Sequence, residues 1–132
     1  MTNVELIEKA KEAAENAYVP YSGFKVGAAL LTKKGKLYLG CNIESSSYSP
    51  TNCAERTAFF KAVSEGEREF EKIAIVGGKN GNFSDYCTPC GVCRQVMSEF
   101  SDADFTVILG KNGDEYRKFT LGELLPHSFN LK

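Results

Sequence analysis

Apolar residues recur at helical spacing in the first part of the chain. Thr2 followed three residues later by Glu5 is the capping-box pattern with which many helices begin. The apolar positions that come next are three or four residues apart, at Ile7, Ala10, Ala14 and Ala17. This pattern predicts a first helix that ends before the turn-rich residues 19–23.

The pattern then changes to the two-residue period of a strand. Phe24, Val26, Ala28 and Leu30 alternate with Lys25, Gly27 and Ala29, the spacing that predicts a strand. Residues 33–36, Lys-Lys-Gly-Lys, have the composition of a hairpin loop, and residues 37–42 are expected to return as the second strand. Residues 45–50, rich in serine, predict a loop.

Helices and strands alternate in the rest of the chain. A helical pattern resumes near Cys53 and ends at Gly66, because glycine commonly stops a helix. Ile73–Val76 is a continuous apolar run, typical of a strand buried on both faces. A further helix is predicted from Cys90 to about Phe100. Two strands, Phe105–Leu109 and Glu115–Phe119, are predicted on either side of an Asn112-Gly113 turn. A second capping box, at Thr120 and Glu123, precedes a short turn that ends at Pro126.

The order of these elements defines the fold class. Strands that alternate with helices indicate crossover connections and helices packed on a central mixed sheet. No repeat, linker or low-complexity segment divides the chain. We therefore predict one α/β domain over residues 1–132.

The charge balance argues against nucleic acid as a partner. Lys and Arg number 16 and Asp and Glu 17, and no basic run exceeds two residues. Proteins that grip phosphates usually carry a positive face. The first residues lack the apolar core of a signal peptide, and no stretch approaches the ~20 apolar residues of a membrane span. We therefore expect a cytoplasmic protein with a small-molecule ligand and no membrane partner.

The cysteines predict metal chemistry. Three of the five lie within seven positions, at Cys87, Cys90 and Cys93, without an export signal that would favour disulfides. Cys90 and Cys93 are one helical turn apart, so both sulfurs can reach one ion, and Cys53 at another helix start supplies a third thiolate. Three protein ligands leave the fourth position of a tetrahedral zinc ion open for water, the arrangement of a catalytic site.

Two further interpretations of these cysteines stay open at this point. All three candidate ligands could be inert buried thiols or could belong to a structural zinc site. Alternatively, Cys87 could replace Cys93 as a ligand. Glu55, two residues after Cys53, favours the catalytic interpretation, because its carboxylate can reach a water at the ion if the ion lies beside the first turn of the helix.

The charge of such a site predicts a nearby cation. A +2 ion with three thiolates sums to −1, which makes a poor Lewis acid unless a positive group withdraws charge from sulfur. Arg56 follows Glu55 and Arg94 follows Cys93, so either could serve. We favour Arg56 for the charge-balancing role.

At these residues the chain resembles the small, three-cysteine cytidine deaminases, and the resemblance extends along nearly its whole length. The segments that carry it are Tyr21-Ser22-Gly23-Phe24-Lys25-Val26-Gly27-Ala28-Ala29, Gly40-Cys41-Asn42-Ile43-Glu44, Cys53-Ala54-Glu55-Arg56 and Pro89-Cys90-Gly91-Val92-Cys93-Arg94-Gln95. The resemblance implies a three-layer α/β/α fold with a mixed central sheet, one Zn²⁺ per chain and a homotetramer. Cys87 and residues 45–51 depart from the pattern of that family.

The resemblance also implies substrate contacts. Phe24 is expected to contact the pyrimidine, the backbone of Ala54 to recognise the base, and Asn42 and Glu44 to hold the ribose hydroxyls. Phe129 is expected to cover a site, in a neighbouring subunit. Glu44 could instead be a solvated charge at a strand end, and Phe129 could pack in the core or at an interface without contacting a substrate.

The implied activity is zinc-dependent hydrolysis of cytidine and deoxycytidine to the uracil nucleosides and ammonia, in pyrimidine salvage. Glu55 would shuttle protons from the attacking water to N3 and to the departing amine. A deaminase for a cytosine-containing antibiotic of the blasticidin type is the nearest alternative. A polynucleotide-editing deaminase is disfavoured by charge, and a zinc-stabilised binding module without turnover is disfavoured by Glu55.

Overall fold

The protein is described by a computed structural model that covers residues Met1–Lys132. Four helices and five strands follow one another along the chain, in the order expected from the sequence. They are α1 (Asn3–Ala14), β1 (Phe24–Thr32), β2 (Leu37–Cys41), α2 (Ala54–Ser64), β3 (Phe70–Lys79), α3 (Gly91–Phe100), β4 (Thr106–Gly110), β5 (Tyr116–Thr120) and α4 (Leu121–Leu124). None of the helices has the length and apolar character needed to cross a membrane.

All five strands form one mixed sheet with the order β2-β1-β3-β4-β5. β3 and β4 pair in parallel, and the other neighbours pair antiparallel. The parallel pair requires a crossover connection, which α3 provides. The predicted mixed sheet is therefore confirmed, and its central strand, β3, belongs to the parallel pair.

Helices cover both faces of the sheet, so the three-layer α/β/α architecture is confirmed. α1 packs on one face, where its Leu6 and Ile7 join Ala74 and Ile108 in one buried cluster. α2 and α3 pack on the other face, where Phe59 of α2 and Met97 of α3 belong to a second cluster. The sheet consequently separates two hydrophobic cores, and the two helices that carry the candidate cysteines share one of them.

The strand predicted from Phe24 onward is confirmed as β1, and both of its faces are buried along most of its length. Every residue from Gly27 to Thr32 is buried, and Ala28, Ala29 and Leu30 are each 0% exposed. β1 lies between β2 and β3, with α1 above one face and α2 below the other, so both sets of side chains enter a core.

Helix starts and hairpins agree well with the sequence patterns. Both predicted capping boxes are present, at Thr2 with Glu5 and at Thr120 with Glu123. The β1–β2 and β4–β5 hairpins form as expected, with Gly35 and Gly113 at positive φ in their turns. Local turn and cap chemistry therefore determines where most elements begin and end.

A glycine on β2 lets α2 approach the sheet closely. A side-chain carbon at Gly40 would lie 2.4 Å from the carbonyl oxygen of Ala54 and 2.6 Å from the amide nitrogen of Ala58. Any other residue would push the first turn of α2 away from the sheet. Because that turn follows Cys53 and contains Glu55, Gly40 helps to fix the position of the candidate site.

Candidate metal centre and active site

Two helix N-termini bring three cysteines together. Cys53 is the N-cap of α2, Cys90 is the N-cap of α3, and Cys93 lies in the first turn of α3. Their sulfur atoms all lie within 4.8 Å of one another. Because the N-terminal ends of helices carry partial positive charge, this location favours thiolates.

The position of Cys90 differs from the expected one. It was predicted to lie on the helix, one turn from Cys93, but its extended backbone (φ −68°, ψ 167°) makes it the N-cap residue. Its Sγ accepts a hydrogen bond from the amide of Cys93 at 3.4 Å, as an N-cap side-chain oxygen would. The capping geometry, and not a shared helical face, holds the two sulfurs together.

The donor set fits a zinc ion. Two sulfurs bound at about 2.3 Å in a tetrahedron lie about 3.8 Å apart, and the Sγ atoms of Cys53 and Cys90 are 3.8 Å apart. Three thiolates and an open fourth position suit zinc in a catalytic role. Cys87 does not belong to the cluster of sulfurs, which favours Cys93 over Cys87 as the third ligand.

Arg56 lies against one sulfur of the cluster. Its Nη2 donates a hydrogen bond to Cys53 Sγ at 3.3 Å. The pKa of the Cys53 thiol is lowered to about 5, chiefly because the Cys93 thiol donates a hydrogen bond to its sulfur and also because Arg56 does so. Arg94, the other arginine considered, donates instead to the carbonyl oxygens of Pro89 and Leu124. Of the two, Arg56 is therefore the one placed to balance thiolate charge.

Glu55 is a buried carboxyl group beside the cysteine cluster. It is 4% exposed and lies in the first turn of α2. Burial raises the pKa of Glu55 to about 7, and the negative charge of Cys53 raises it further. A carboxyl group that titrates near neutrality can both accept and deliver a proton, as a proton shuttle must.

Phe24 and Cys87 form one wall next to this centre. A side-chain carbon at Gly77 would lie 2.7 Å from Cys87 Sγ and 3.1 Å from Phe24 Cε1, so these two side chains occupy the space above the glycine. Burial raises the pKa of Cys87 to about 11, with smaller contributions from the charges of Glu55 and Cys53. Cys87 thus stays a neutral thiol that packs near the centre.

The side chain of Asn42 extends the pairing of β1 beyond the end of β2. Its Oδ1 accepts a hydrogen bond from the amide of Val26 at 2.9 Å, and its Nδ2 donates to the carbonyl of Phe24 at 2.8 Å. Asn42 therefore fixes the backbone on either side of Lys25. Nδ2 retains a second N–H for another acceptor.

Glu44 is anchored by a turn that precedes β1. Its Oε1 accepts hydrogen bonds from the amides of Tyr21 and Ser22 at 3.0 and 3.2 Å, and its Oε2 accepts from Ser22 Oγ at 2.5 Å. These bonds, the Ser22 hydroxyl first among them, lower the pKa of Glu44. Glu44 is therefore an ordered carboxylate and not a free charge at a strand end.

The last two predicted contacts lie in different surroundings. Ala54 is fully buried at the first position of α2, between Cys53 and Glu55, so its backbone belongs to the same centre. Phe129 is 71% exposed, and its carbonyl accepts a hydrogen bond from Gln95 at 3.0 Å. Most of Phe129 is therefore open to solvent, where another chain could contact it.

Some residues that hold the site were not identified from sequence. The sequence predicts a turn at Ser22 but gives no signal for its hydrogen bond to Glu44, which is 22 residues away along the chain. Gly40 showed no local signal, because the approach of α2 is a tertiary contact. Arg94 was considered only as a partner of sulfur, and its bonds to two carbonyls depend on the position of the C-terminal segment.

Comparison with known proteins agrees with this geometry. Residues 1–109 match the family model described as the cytidine and deoxycytidylate deaminase zinc-binding region. A cytidine deaminase of Sporosarcina psychrophila is 52% identical over 126 residues, covering 96% of this chain and 90% of that protein. The crystal structure of a cytidine deaminase from Burkholderia pseudomallei aligns with a TM-score of 0.90 at 49% identity, covering 98% of this chain and 100% of the other. A more distant relative, 34% identical over 94% of this chain and 89% of its own length, is a blasticidin-S deaminase of Bacillus cereus.

Proposed function

The chain belongs to the cytidine and deoxycytidylate deaminase family, and from this premise we propose that it is a zinc-dependent cytidine deaminase. It replaces the exocyclic amine of cytidine or deoxycytidine by an oxygen from water. Each turnover consumes one water and releases one uracil nucleoside and one ammonia. One observation carries the proposal at the level of the site: the buried carboxyl of Glu55 lies beside three cysteine sulfurs at two converging helix starts.

We assign the metal and the proton transfer to separate side chains. Cys53, Cys90 and Cys93 hold the zinc ion, which when bound supplies the Lewis acidity that makes water nucleophilic near neutral pH. Glu55 accepts a proton from the attacking water and delivers it to N3 of the pyrimidine. The same carboxyl group then takes the second proton of that water from the new hydroxyl on C4 and delivers it to the exocyclic amine, which leaves as ammonia, so Glu55 ends the cycle as it began.

We assign the substrate contacts to groups whose positions the fold already fixes. Phe24, in the wall with Cys87, packs against the pyrimidine, and the backbone of Ala54 recognises the polar edge of the base. The free N–H of Asn42 and the anchored carboxylate of Glu44 bind the ribose hydroxyls. A bare base has no ribose hydroxyls and would make neither contact, so the pocket favours a nucleoside.

The charge-balancing role of Arg56 leads to a first prediction. In Arg56→Ala the three ligands remain, but Cys53 loses its charge-assisted hydrogen bond. Such a bond is worth about 1.5–3 kcal/mol, so kcat should fall roughly 10- to 150-fold. Steady-state kinetics on zinc-loaded enzyme measure this, with Arg68→Ala as the control, because Arg68 is a remote arginine that bonds to backbone carbonyls and not to a sulfur. An unchanged kcat would assign the role to the helix dipoles.

A substrate panel tests the proposed specificity. Zinc-loaded protein is given cytidine, deoxycytidine or blasticidin S, and loss of absorbance in the cytosine band is followed for each. We expect both nucleosides to be deaminated and the antibiotic to be a poor substrate, because Asn42 and Glu44 are placed for ribose. Faster turnover of blasticidin S than of cytidine would contradict the proposal.

We further propose that the enzyme is a homotetramer in which neighbouring chains complete each site. The exposure of Phe129 supports this, because a large aromatic side chain is left open to solvent and a bound base offers an aromatic surface for stacking. The predicted assembly, four chains of 14.5 kDa, has a mass of about 58 kDa. Native mass spectrometry should detect it, and Phe129→Ala should raise KM more than it lowers kcat, since stacking stabilises bound substrate and transition state alike. A fully active monomer would contradict the shared site.

The chemistry of the ligands supports a cytoplasmic role in pyrimidine salvage. All five cysteines are free, and three of them must stay reduced to bind metal. A compartment that keeps thiols reduced meets this requirement. The reaction converts a free cytosine nucleoside into a uracil nucleoside, which fits a role in the salvage of free nucleosides.

A further inference from the structure

Arg94 connects two segments that are distant in sequence. Its Nε donates a hydrogen bond to the carbonyl of Pro89 at 2.8 Å, and its Nη1 donates to the carbonyl of Leu124 at 2.7 Å. The Arg94 side chain is half-buried, and Pro89, which directly precedes Cys90, is buried. One guanidinium therefore holds both the loop that delivers Cys90 and the end of α4.

The rest of the C-terminal segment, defined here as residues 121–132, is held by the same helix. Gln95 Nε2 donates to the carbonyl of Phe129 at 3.0 Å, and Glu99 pairs with Lys132 at 3.3 Å. Arg94, Gln95 and Glu99 thus fasten the segment to α3 at three successive points. α3 also carries Cys93 and is capped by Cys90, so the segment is fastened to the helix of the cysteine cluster.

We propose that Arg94 is a positioning residue that couples the zinc-ligand loop, residues 87–90, to the C-terminal segment. The planar fork of arginine can direct two N–H groups at two fixed carbonyls, so each contact is held in place partly by the other. Loosening of the segment should loosen Cys90, and loosening of the loop should loosen the segment. The inference rests on the proposed function in one respect, the assignment of Cys90 and Cys93 as ligands.

Hydrogen exchange on the zinc-loaded protein tests the coupling in Arg94→Gln. Glutamine is too short to reach both carbonyls, so the bridge is lost. We expect exchange to become roughly 10- to 100-fold faster, the effect of losing one charge-assisted hydrogen bond, in both segments at once. The reporting amides are Cys93 in the first turn of α3, which donates to Cys90 Sγ at the end of the loop, and Leu125 in the segment, which donates to Leu121 O. Zinc release to a chelator should accelerate about tenfold in the same sample.

Arg68→Gln is the matched control. Arg68 also donates to two carbonyls, those of Val63 and Glu67, but at the far end of α2. Its replacement should affect exchange around residues 63–67 and leave both reporting amides and zinc release unchanged. Ile75 and Ile108 in the central strands monitor global unfolding and should remain protected in every variant. If Arg94→Gln does not fold, Arg94→Lys is measured in its place. Lysine keeps the charge, so amide exchange in both segments should be accelerated less than by glutamine.

The outcomes separate this inference from the assignment of the metal ligands. Faster exchange in both segments together with faster zinc release supports the coupling. Faster exchange in only one segment, or unchanged zinc release, would overturn it. Full zinc retention by Cys90→Ser would instead contradict the ligand assignment in the proposed function, whatever the exchange of the Arg94 variant shows.

Discussion

Glu55→Gln should lower kcat by roughly 100- to 10,000-fold, the usual contribution of general acid–base catalysis. Glutamine keeps the shape of the side chain and can still form hydrogen bonds, but it cannot carry a proton between water and the base. Because glutamine is nearly the same size as glutamate, it should fit the buried position and the variant should keep its fold. Because Glu55 is not one of the clustered sulfur ligands, the variant should also keep its zinc. Steady-state kinetics with cytidine, beside metal analysis of the same preparation, measure the effect.

The control for this variant is an exposed carboxylate. Glu12→Gln removes a negative charge on the surface of α1, where Glu12 pairs only with Lys9, and should leave kcat unchanged. Near-normal turnover by Glu55→Gln with about one zinc per chain would contradict the assignment of the proton shuttle. Loss of zinc from this variant would show instead that the carboxylate is a metal ligand.

Replacement of any one of the three clustered cysteines by serine should remove most of the metal and nearly all activity. A serine hydroxyl is a poor zinc ligand near neutral pH, so Cys53→Ser, Cys90→Ser and Cys93→Ser each leave two thiolates. Cys87→Ser is the matched control, because its sulfur lies outside the cluster although it packs nearby. Atomic absorption on the four purified variants gives the zinc content per chain.

The same set of variants tests the order of ligands in the motif. Zinc should be retained by Cys87→Ser alone. If Cys87→Ser loses the metal and Cys93→Ser keeps it, the third ligand is Cys87 and the proposed centre is wrong in that residue. The prediction is sharp because the two cysteines differ in surroundings, one bonded to its fellow ligands and the other packed on Gly77 and Phe24.

The elements that sequence alone predicted well are those fixed by local chemistry. The capping boxes at Thr2 and Thr120 and the turns at Gly35 and Gly113 need only neighbouring residues, and each lies where its pattern indicated. The burial of β1 could not be predicted in this way. Whether one or both faces of a strand are covered depends on the helices that pack on the sheet, and the small residues of β1 fit either case.

The candidate site shows the same division. Cys53, Glu55, Cys90 and Cys93 were identified from residue type and spacing, and the structure brings the three sulfurs together. The capping role of Cys90 was missed, because a cysteine is not among the usual N-cap residues. The sequence analysis favours Arg56 over Arg94 for the charge-balancing role, but it does not show which atoms either arginine contacts. Each follows a residue of the centre by one position, and only tertiary packing distinguishes their partners.

The most direct test of the central claim is to measure deamination of cytidine while the zinc content of the protein is varied. Protein with one zinc per chain is mixed with cytidine, and uridine and ammonia are quantified before zinc removal, after removal and after zinc is restored. The account predicts equal amounts of uridine and ammonia, loss of activity without zinc and its recovery when zinc returns. Cytidine left unchanged by folded, zinc-loaded protein, or converted equally well without zinc, would contradict it.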